Sequence, residues 1–320
     1  MEVNNLKTYF FTRSGVVKAV NGVDFKLRRG ECLCLVGESG CGKTVTALSI
    51  LGLIDSPPGQ IVDGEVKYNN LDLATCSPRQ LRQIRGKEIA IVFQDAQSAL
   101  NPVLTVGDQI IEQLQIHLSI KQGEARNKAM TLLDEMGIPS VERVMSSYPH
   151  QLSGGMKQRA MIAMSLSCDP QILIADEPTT AVDVTIKAQI LDIFRELKTK
   201  RQMSLLFITH DLGVVAEIGD RAVVIYGGED VETAPVSEII GNPKHPYTAG
   251  LIECLPDISK ATDRLTSIPG ATPNPVELPR GCSFHPRCPK AMEICSRQQP
   301  PQIIISDGHK VSCYLYQRST

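Results

Sequence analysis

With 320 residues, 42% of them hydrophobic, the chain is long enough for one large domain or two ordinary ones, and for a substantial core without disulfides. Its 33 basic and 35 acidic residues leave a net charge of −2, which excludes a chain drawn to nucleic acid or anionic lipid by bulk charge. No apolar run approaches the ~18–20 residues of a spanning helix, and Met1–Asn5 lacks a basic region followed by an apolar core, so the chain is read as soluble and not secreted.

In chain order, an apolar strand over Glu31–Val36 is followed by a glycine loop and a helix beginning at Lys43. Further buried-type strands are predicted at Ile89–Phe93, Ile172–Ala175, Leu205–Ile208 and Ala222–Ile225, with a helix over Ile186–Lys200 between two of them. Between about residues 98 and 167 the β signals fade, and Ile110, Ile111, Leu114, Met130, Leu132, Leu133 and Met136 recur at helical spacing, so a helical subdomain is inserted there. After Gly241 the chain turns proline-rich, which predicts an extension over 242–320 with little regular structure. The fold class is α/β.

Several stretches carry chemistry. Gly37-Glu38-Ser39-Gly40-Cys41-Gly42-Lys43-Thr44 fits G-x-x-x-x-G-K-[ST] between a strand and a helix. Its backbone N–H groups suit phosphates, Lys43 adds a point charge, and the Thr44 hydroxyl suits Mg²⁺. Cys41 sits near a helix N-terminus and Lys43, both of which favour a thiolate, so its alkylation is expected to block ATP binding. An apolar strand ending in Asp176-Glu177 calls for a cation or substrate: Asp176 for Mg²⁺, Glu177 as general base. Leu152-Ser153-Gly154-Gly155-Met156-Lys157-Gln158-Arg159 opens a helix whose positive end suits a phosphate. His210 ends a strand, where a lone histidine is more often structural, and Asp183 suits a helix N-cap.

These motifs, in this order, resemble the ATP-binding cassette ATPases over about Leu6–Gly241. The resemblance implies a P-loop core with an antiparallel β portion near the N-terminus, and two subunits sandwiching ATP. Ser153, Gly154, Gly155 and Gln158 would then act on the partner's ATP, Gln94 would contact Mg²⁺ and the attacking water, His210 would sense the γ-phosphate, and Asp183 would link the two sites. One of Tyr9, Phe10 and Phe11 would stack on adenine; Phe10 is the choice. Two departures stand out: Ala96 replaces a usual proline, and the turn Tyr226–Thr233 is unusually acidic, which puts its hairpin in doubt.

The stretches Asn242–Thr248, Ile268–Gly270 and Leu278–Cys288 resemble the C-terminal extension of dipeptide and oligopeptide importer ATPases. That branch implies two permease subunits, an external solute-binding protein, a second and different ATPase chain, and a peripheral place on the cytoplasmic membrane face. Nickel or other small-solute importers are the alternative; a non-transport ATPase is disfavoured by the near-neutral charge and the importer-like tail. Cys282, Cys288, Cys295 and Cys313 form C-x5-C-x6-C-x17-C, a set that suits [4Fe–4S] or, alternatively, Zn²⁺. The other six cysteines show no ligand spacing.

Overall fold

Cys32–Val36 is apolar at every position and buried at every position, the pattern of a strand covered on both faces. Ile172–Asp176 and Ser204–Thr209 are likewise buried throughout. The computed structural model describes residues 1–180, 183–255 and 267–317. The chain forms two compact units, one from Met1–Leu27, Cys32–Thr75 and the described residues of Ile208–Thr320, the other from Arg28–Glu31 and Cys76–Phe207.

The first unit begins with β1 (Glu2–Thr12), β2 (Gly15–Lys26), β3 (Cys32–Val36), α1 (Lys43–Ile50), β4 (Gly59–Tyr68) and β5 (Leu71–Asp72). Strands β2, β1, β4 and β5 make an antiparallel sheet in that order. Its β1–β2 register shifts three times between Val3 and Tyr9, which breaks the period-two alternation by which strands are read from sequence.

The second unit holds α2 (Pro78–Ile84), β6 (Ile89–Val92), α3 (Ala96–Ala99), α4 (Val106–Leu118), α5 (Gln122–Glu135), α6 (Val141–Met145), α7 (Gly154–Leu166), β7 (Ile172–Asp176), α8 (Val184–Arg201) and, as far as Phe207, β8 (Ser204–Thr209). Ile110, Ile111 and Leu114 of α4, with Leu132 and Leu133 of α5, are buried, as their helical spacing requires. Thr105 starts α4 by accepting the Asp108 N–H, a cap worth about 1 kcal/mol. Strand β6 pairs in parallel with β7, Ile89 opposite Ile172. Phe194 of α8 meets Phe207 of β8 edge-on at 5.2 Å and 88°, which adds about 0.5–1.5 kcal/mol to their burial.

The chain returns to the first unit as α9 (Leu212–Ile218), β9 (Arg221–Tyr226), β10 (Glu229–Pro235), α10 (Val236–Gly241), α11 (Pro246–Glu253), β11 (Gln302–Ser306) and β12 (His309–Ser312). Here the strand order is β11-β12-β10-β9-β3, with β3–β9 parallel and the other pairs antiparallel. The proline-rich extension therefore contributes a hairpin to a core sheet. The sequence reading passed over it: Ile303, Ile304 and Ile305 follow one another without alternation, but the two-residue turn Asp307-Gly308, with Gly308 at φ 74°, is a hairpin signal that could have found it.

The doubtful acidic turn forms a β9–β10 hairpin, Tyr226 paired with Glu229 and the register shifting between Asp230 and Glu232, and its acids anchor the extension. Glu229 accepts from the Asn21 amide, the Ser283 hydroxyl and the Gln299 amide. Asp230 accepts from the Asp24 N–H and the Gln302 amide, each at 3.0 Å. Glu232 accepts from the N–H groups of Lys244 and His245, each at 2.8 Å, and lies 2.8 Å from Nε2 of His309. Burial raises Glu229 and pushes Asp230 up to about 7.

Asp230 binds its proton more tightly in the folded chain than at its ordinary value of 3.8. Its contribution to stability is therefore fully present below that value and is lost as pH rises through about 7. Asp230→Asn, which stays neutral, is expected to flatten part of the fall in melting temperature between about pH 5 and pH 8. The same fall in both proteins would show that Asp230 ionises without penalty.

Candidate functional site

The phosphate-type loop leaves the buried strand β3 and closes on α1. At Gly42 the backbone has φ 105°, and a Cβ there would come within 2.3 Å of the Ala19 carbonyl oxygen, so only glycine fits. Lys43 is 4% exposed, and its ammonium donates to the carbonyls of Gly37 at 2.8 Å and Glu38 at 3.0 Å. The loop is thereby folded around the lysine. Gly37 is buried, Thr44 is half-buried, and Ser39 and Gly40 are exposed at the loop's tip, next to the N-terminus of α1. That cradle of turns and helix end suits the phosphates of ATP, with the Thr44 hydroxyl available in type for Mg²⁺.

Glu38 is tied down twice. Its N–H donates to the Tyr247 hydroxyl at 2.9 Å, and its carboxylate accepts both terminal nitrogens of Arg287, at 2.7 and 3.0 Å. Tyr226, Tyr247 and Phe284 pack round this point with centroids 4.6–5.3 Å apart. Sequence reasoning missed Tyr247 and Arg287, although both lie in stretches that it quoted as marks of the extension. His210 also belongs to this unit and is exposed just beyond β8. Phe10 is half-buried with its ring edge against Gly59; Tyr9 donates its hydroxyl to Asn21, and Phe11 is 51% exposed.

One expectation is reversed here. Cys41 is 6% exposed, and burial pushes its thiol upward despite Lys43 at 3.9 Å. Desolvation outweighs the nearby charge, so the residue is held as a thiol.

In the second unit Asp176 ends β7 and is 2% exposed. Glu177, the next residue, has φ 44°, a left-handed conformation that costs a side-chain-bearing residue about 1–3 kcal/mol and persists where the surroundings impose it. Its Oε2 accepts from the Thr180 hydroxyl at 3.0 Å and the Gln94 amide at 3.5 Å. Three expected residues are thus linked along one edge: Gln94 beyond β6, and Asp176 and Glu177 at the end of β7. Ala96, in place of the usual proline, begins α3 behind the Asp95 cap.

Ser153 caps α7 by accepting the Met156 N–H, and a Cβ at Gly154 would meet nothing within 4 Å, so this helix end is open. Ser153, Gly154, Gly155, Arg159 and Asp183 line a cleft of about 410 Å³. Arg159 is braced by the carbonyls of Met136 and Gly137 and by the Gln189 side chain. Gln158 does not share that face: it is 3% exposed, and its amide donates to the Pro178 carbonyl at 2.8 Å. Asp183 caps α8 through the Ile186 N–H; residues 181 and 182 of the expected linking loop lie outside the described residues.

The expected metal centre is corrected. Cys282, Cys288, Cys295 and Cys313 line one cavity with Phe284 and Tyr314, but its volume is about 10 Å³, room for no more than a water-sized body. Among the described residues no three His, Cys, Asp or Glu side chains are placed to hold a metal ion, which overturns the iron–sulfur reading and its zinc alternative. Burial pushes Cys282 up to about 11 and raises Cys288 and Cys313, as for thiols in an apolar pocket. The tail is held instead by β12 pairing and by the acids of β10.

Comparison with known proteins bears on both parts of the chain. Residues 20–180 match the family described as ABC transporter, and residues 231–295 match the oligopeptide/dipeptide transporter C-terminal region. The oligopeptide transport ATP-binding protein AppD of Bacillus subtilis (strain 168) is 50% identical over 99% of this chain and 97% of its own length. The dipeptide transport ATP-binding protein DppD of the same organism is 47% identical over 98% and 94%. Among solved structures, the ATP-binding cassette MJ0796, a dimer in a post-hydrolysis state bound to ADP and Pi, aligns with TM-score 0.66 and 26% identity over 73% of this chain and 98% of that one. No helix among the described residues is long and apolar enough to cross a membrane.

The burial of Cys41 makes a checkable difference between thiols. In the native protein at about pH 7, iodoacetamide is expected to label the half-buried Cys76 and Cys254 well before Cys41, as read by peptide mass spectrometry. Cys41 reacting first would restore the activated-thiolate reading.

Proposed function

Because this chain belongs to the ATP-binding cassette transporter family, we propose that it is the ATP-hydrolysing subunit of an importer for di- and oligopeptides. The observation that carries the cargo class is the pairing, in one chain, of a cassette match with the oligopeptide/dipeptide C-terminal region, within a 50% identity that spans nearly the whole sequence. The relatives' names supply the peptide; the residues supply the chemistry.

In this reading Lys43 and the N–H groups of Gly37–Thr44 hold the phosphates of ATP, while Thr44, Gln94 and Asp176 serve Mg²⁺. Phe10 stacks on adenine. Glu177 polarises the attacking water, held by Thr180 and Gln94 in the strained backbone that aims it, and His210 completes the set at the γ-phosphate. Ser153, Gly154 and Gly155 offer an open helix end to the ATP of a second ATPase subunit, a use favoured by the exposed cleft there. Gln158 acts from behind, through the Pro178 carbonyl. Asp183, on the same cleft, couples the two sites.

The second ATPase is a related but different chain in this proposal. Hydrolysis drives two membrane permeases, which receive peptide from an external binding protein, and the chain works from the cytoplasmic face. Its near-neutral charge gives no support to a nucleic-acid role.

Glu177→Gln in the assembled transporter is expected to keep MgATP binding and lose turnover by roughly 10²–10⁴-fold, the usual contribution of a positioned base. Uptake of a labelled dipeptide into proteoliposomes should fall with it. Near-normal hydrolysis in the variant would remove Glu177 as the base, and ATP turnover indifferent to any peptide would remove the cargo.

A further inference from the structure

One side chain of the C-terminal extension reaches into the phosphate loop. Arg287 has a side chain 6% exposed, donates through Nη1 and Nη2 to the two carboxylate oxygens of Glu38, and donates through Nε to the Pro269 carbonyl at 2.9 Å. Nη2 also reaches the Ile268 carbonyl at 3.3 Å, and the guanidinium lies 5.7 and 5.9 Å from the ring centroids of Tyr226 and Phe284. Charge, fork and rings fix this cation in one place. The hydrogen bond to Glu38 holds it above its ordinary range, so it is charged throughout the working pH range.

Glu38 is the second residue of the loop, and its carbonyl accepts from the Lys43 ammonium. A carboxylate there faces an obvious difficulty, because a polyphosphate brings several negative charges to the same loop. Besides the neutral hydrogen bond from the Glu38 N–H to Tyr247, the extension meets the loop in an ion pair whose arginine is buried and whose carboxylate is half-buried. We propose that Arg287 is a positioning residue for nucleotide: it neutralises Glu38 and fixes the loop's shape, so that the C-terminal extension completes the ATP site. The inference rests on the reading that Gly37–Thr44 holds the phosphates of ATP.

The test is steady-state MgATP hydrolysis by the full chain in its transporter complex. Arg287→Met is expected to raise KM roughly three- to tenfold with kcat little changed, the signature of lost ground-state binding. Arg287→Lys, which keeps the charge without the fork, should raise it less. In a Glu38→Gln background the same Arg287 exchanges should add no further rise, since the charge they expose is gone. An equal rise in both backgrounds would mark Arg287 as merely structural, and an unchanged KM in a folded variant would equally overturn the proposal. If melting shows that Arg287→Met does not fold, Arg287→Lys carries the same two-background comparison. Lys43→Ala separates the premises: retained ATP binding there would overturn the phosphate-loop reading itself, whereas lost binding there with inert Arg287 exchanges would overturn only the role of Arg287.

Discussion

Glu232 has a fully buried side chain, yet it accepts two backbone N–H groups from Lys244 and His245 and meets His309 of β12. One carboxylate on β10 thus holds both ends of the C-terminal extension: the turn that leads into α11, and the hairpin that joins the sheet. Leaving such buried donors unsatisfied costs about 1–3 kcal/mol each, so the acid and the segments it binds stand or fall together. From that anchor α11 delivers Tyr247 to the phosphate loop, and the aromatic cluster of Tyr226, Tyr247 and Phe284 seats Arg287 beside it. His245, buried and pushed down to about 3, stays neutral and caps α11 through the Tyr247 N–H.

The extension is therefore part of the first unit's core construction. Its acids, Glu229, Asp230 and Glu232, sit on a strand that would otherwise be a sheet edge, and each one finds its partners in the N-terminal sheet or in the tail. Burying Asp230 and Glu232 and half-burying Glu229 is costly unless hydrogen bonds meet them. Here those bonds do the joining, and the raised values of Glu229 and Asp230 register the cost that remains.

The second unit solves a different problem, how to aim a carboxylate. Two acids in succession at the end of a buried strand would point to opposite sides if the strand continued. Glu177 instead turns into the left-handed region and is held there by Thr180 and Gln94, while Asp176 stays within the strand and buried. Gln158 supports the following segment through the Pro178 carbonyl, which links the helix of the Ser-Gly-Gly octet to the turn that carries Glu177. Strain, capping and one buried amide make a rigid turn from a short polar stretch.

The sequence by itself determined the buried strands, the helical stretch and the phosphate loop. Each depends on local regularities, apolar runs, 3.6-residue spacing or glycine at a forced turn, that survive without knowledge of any partner segment. The N-terminal antiparallel strands were expected only through the family resemblance, because their pairing shifts register, and the β11–β12 hairpin was passed over for want of alternation despite its Asp307-Gly308 turn. The cysteine spacing suggested a metal centre, and only the arrangement of the side chains around a cavity of about 10 Å³ decided otherwise. Cys41 went the same way, its proximity to Lys43 being legible in the sequence and its burial not. What the tertiary structure alone could decide was the meeting of residues far apart in the chain, Glu38 with Arg287 and Glu232 with His309, because no period or motif encodes a contact across 249 or 77 positions.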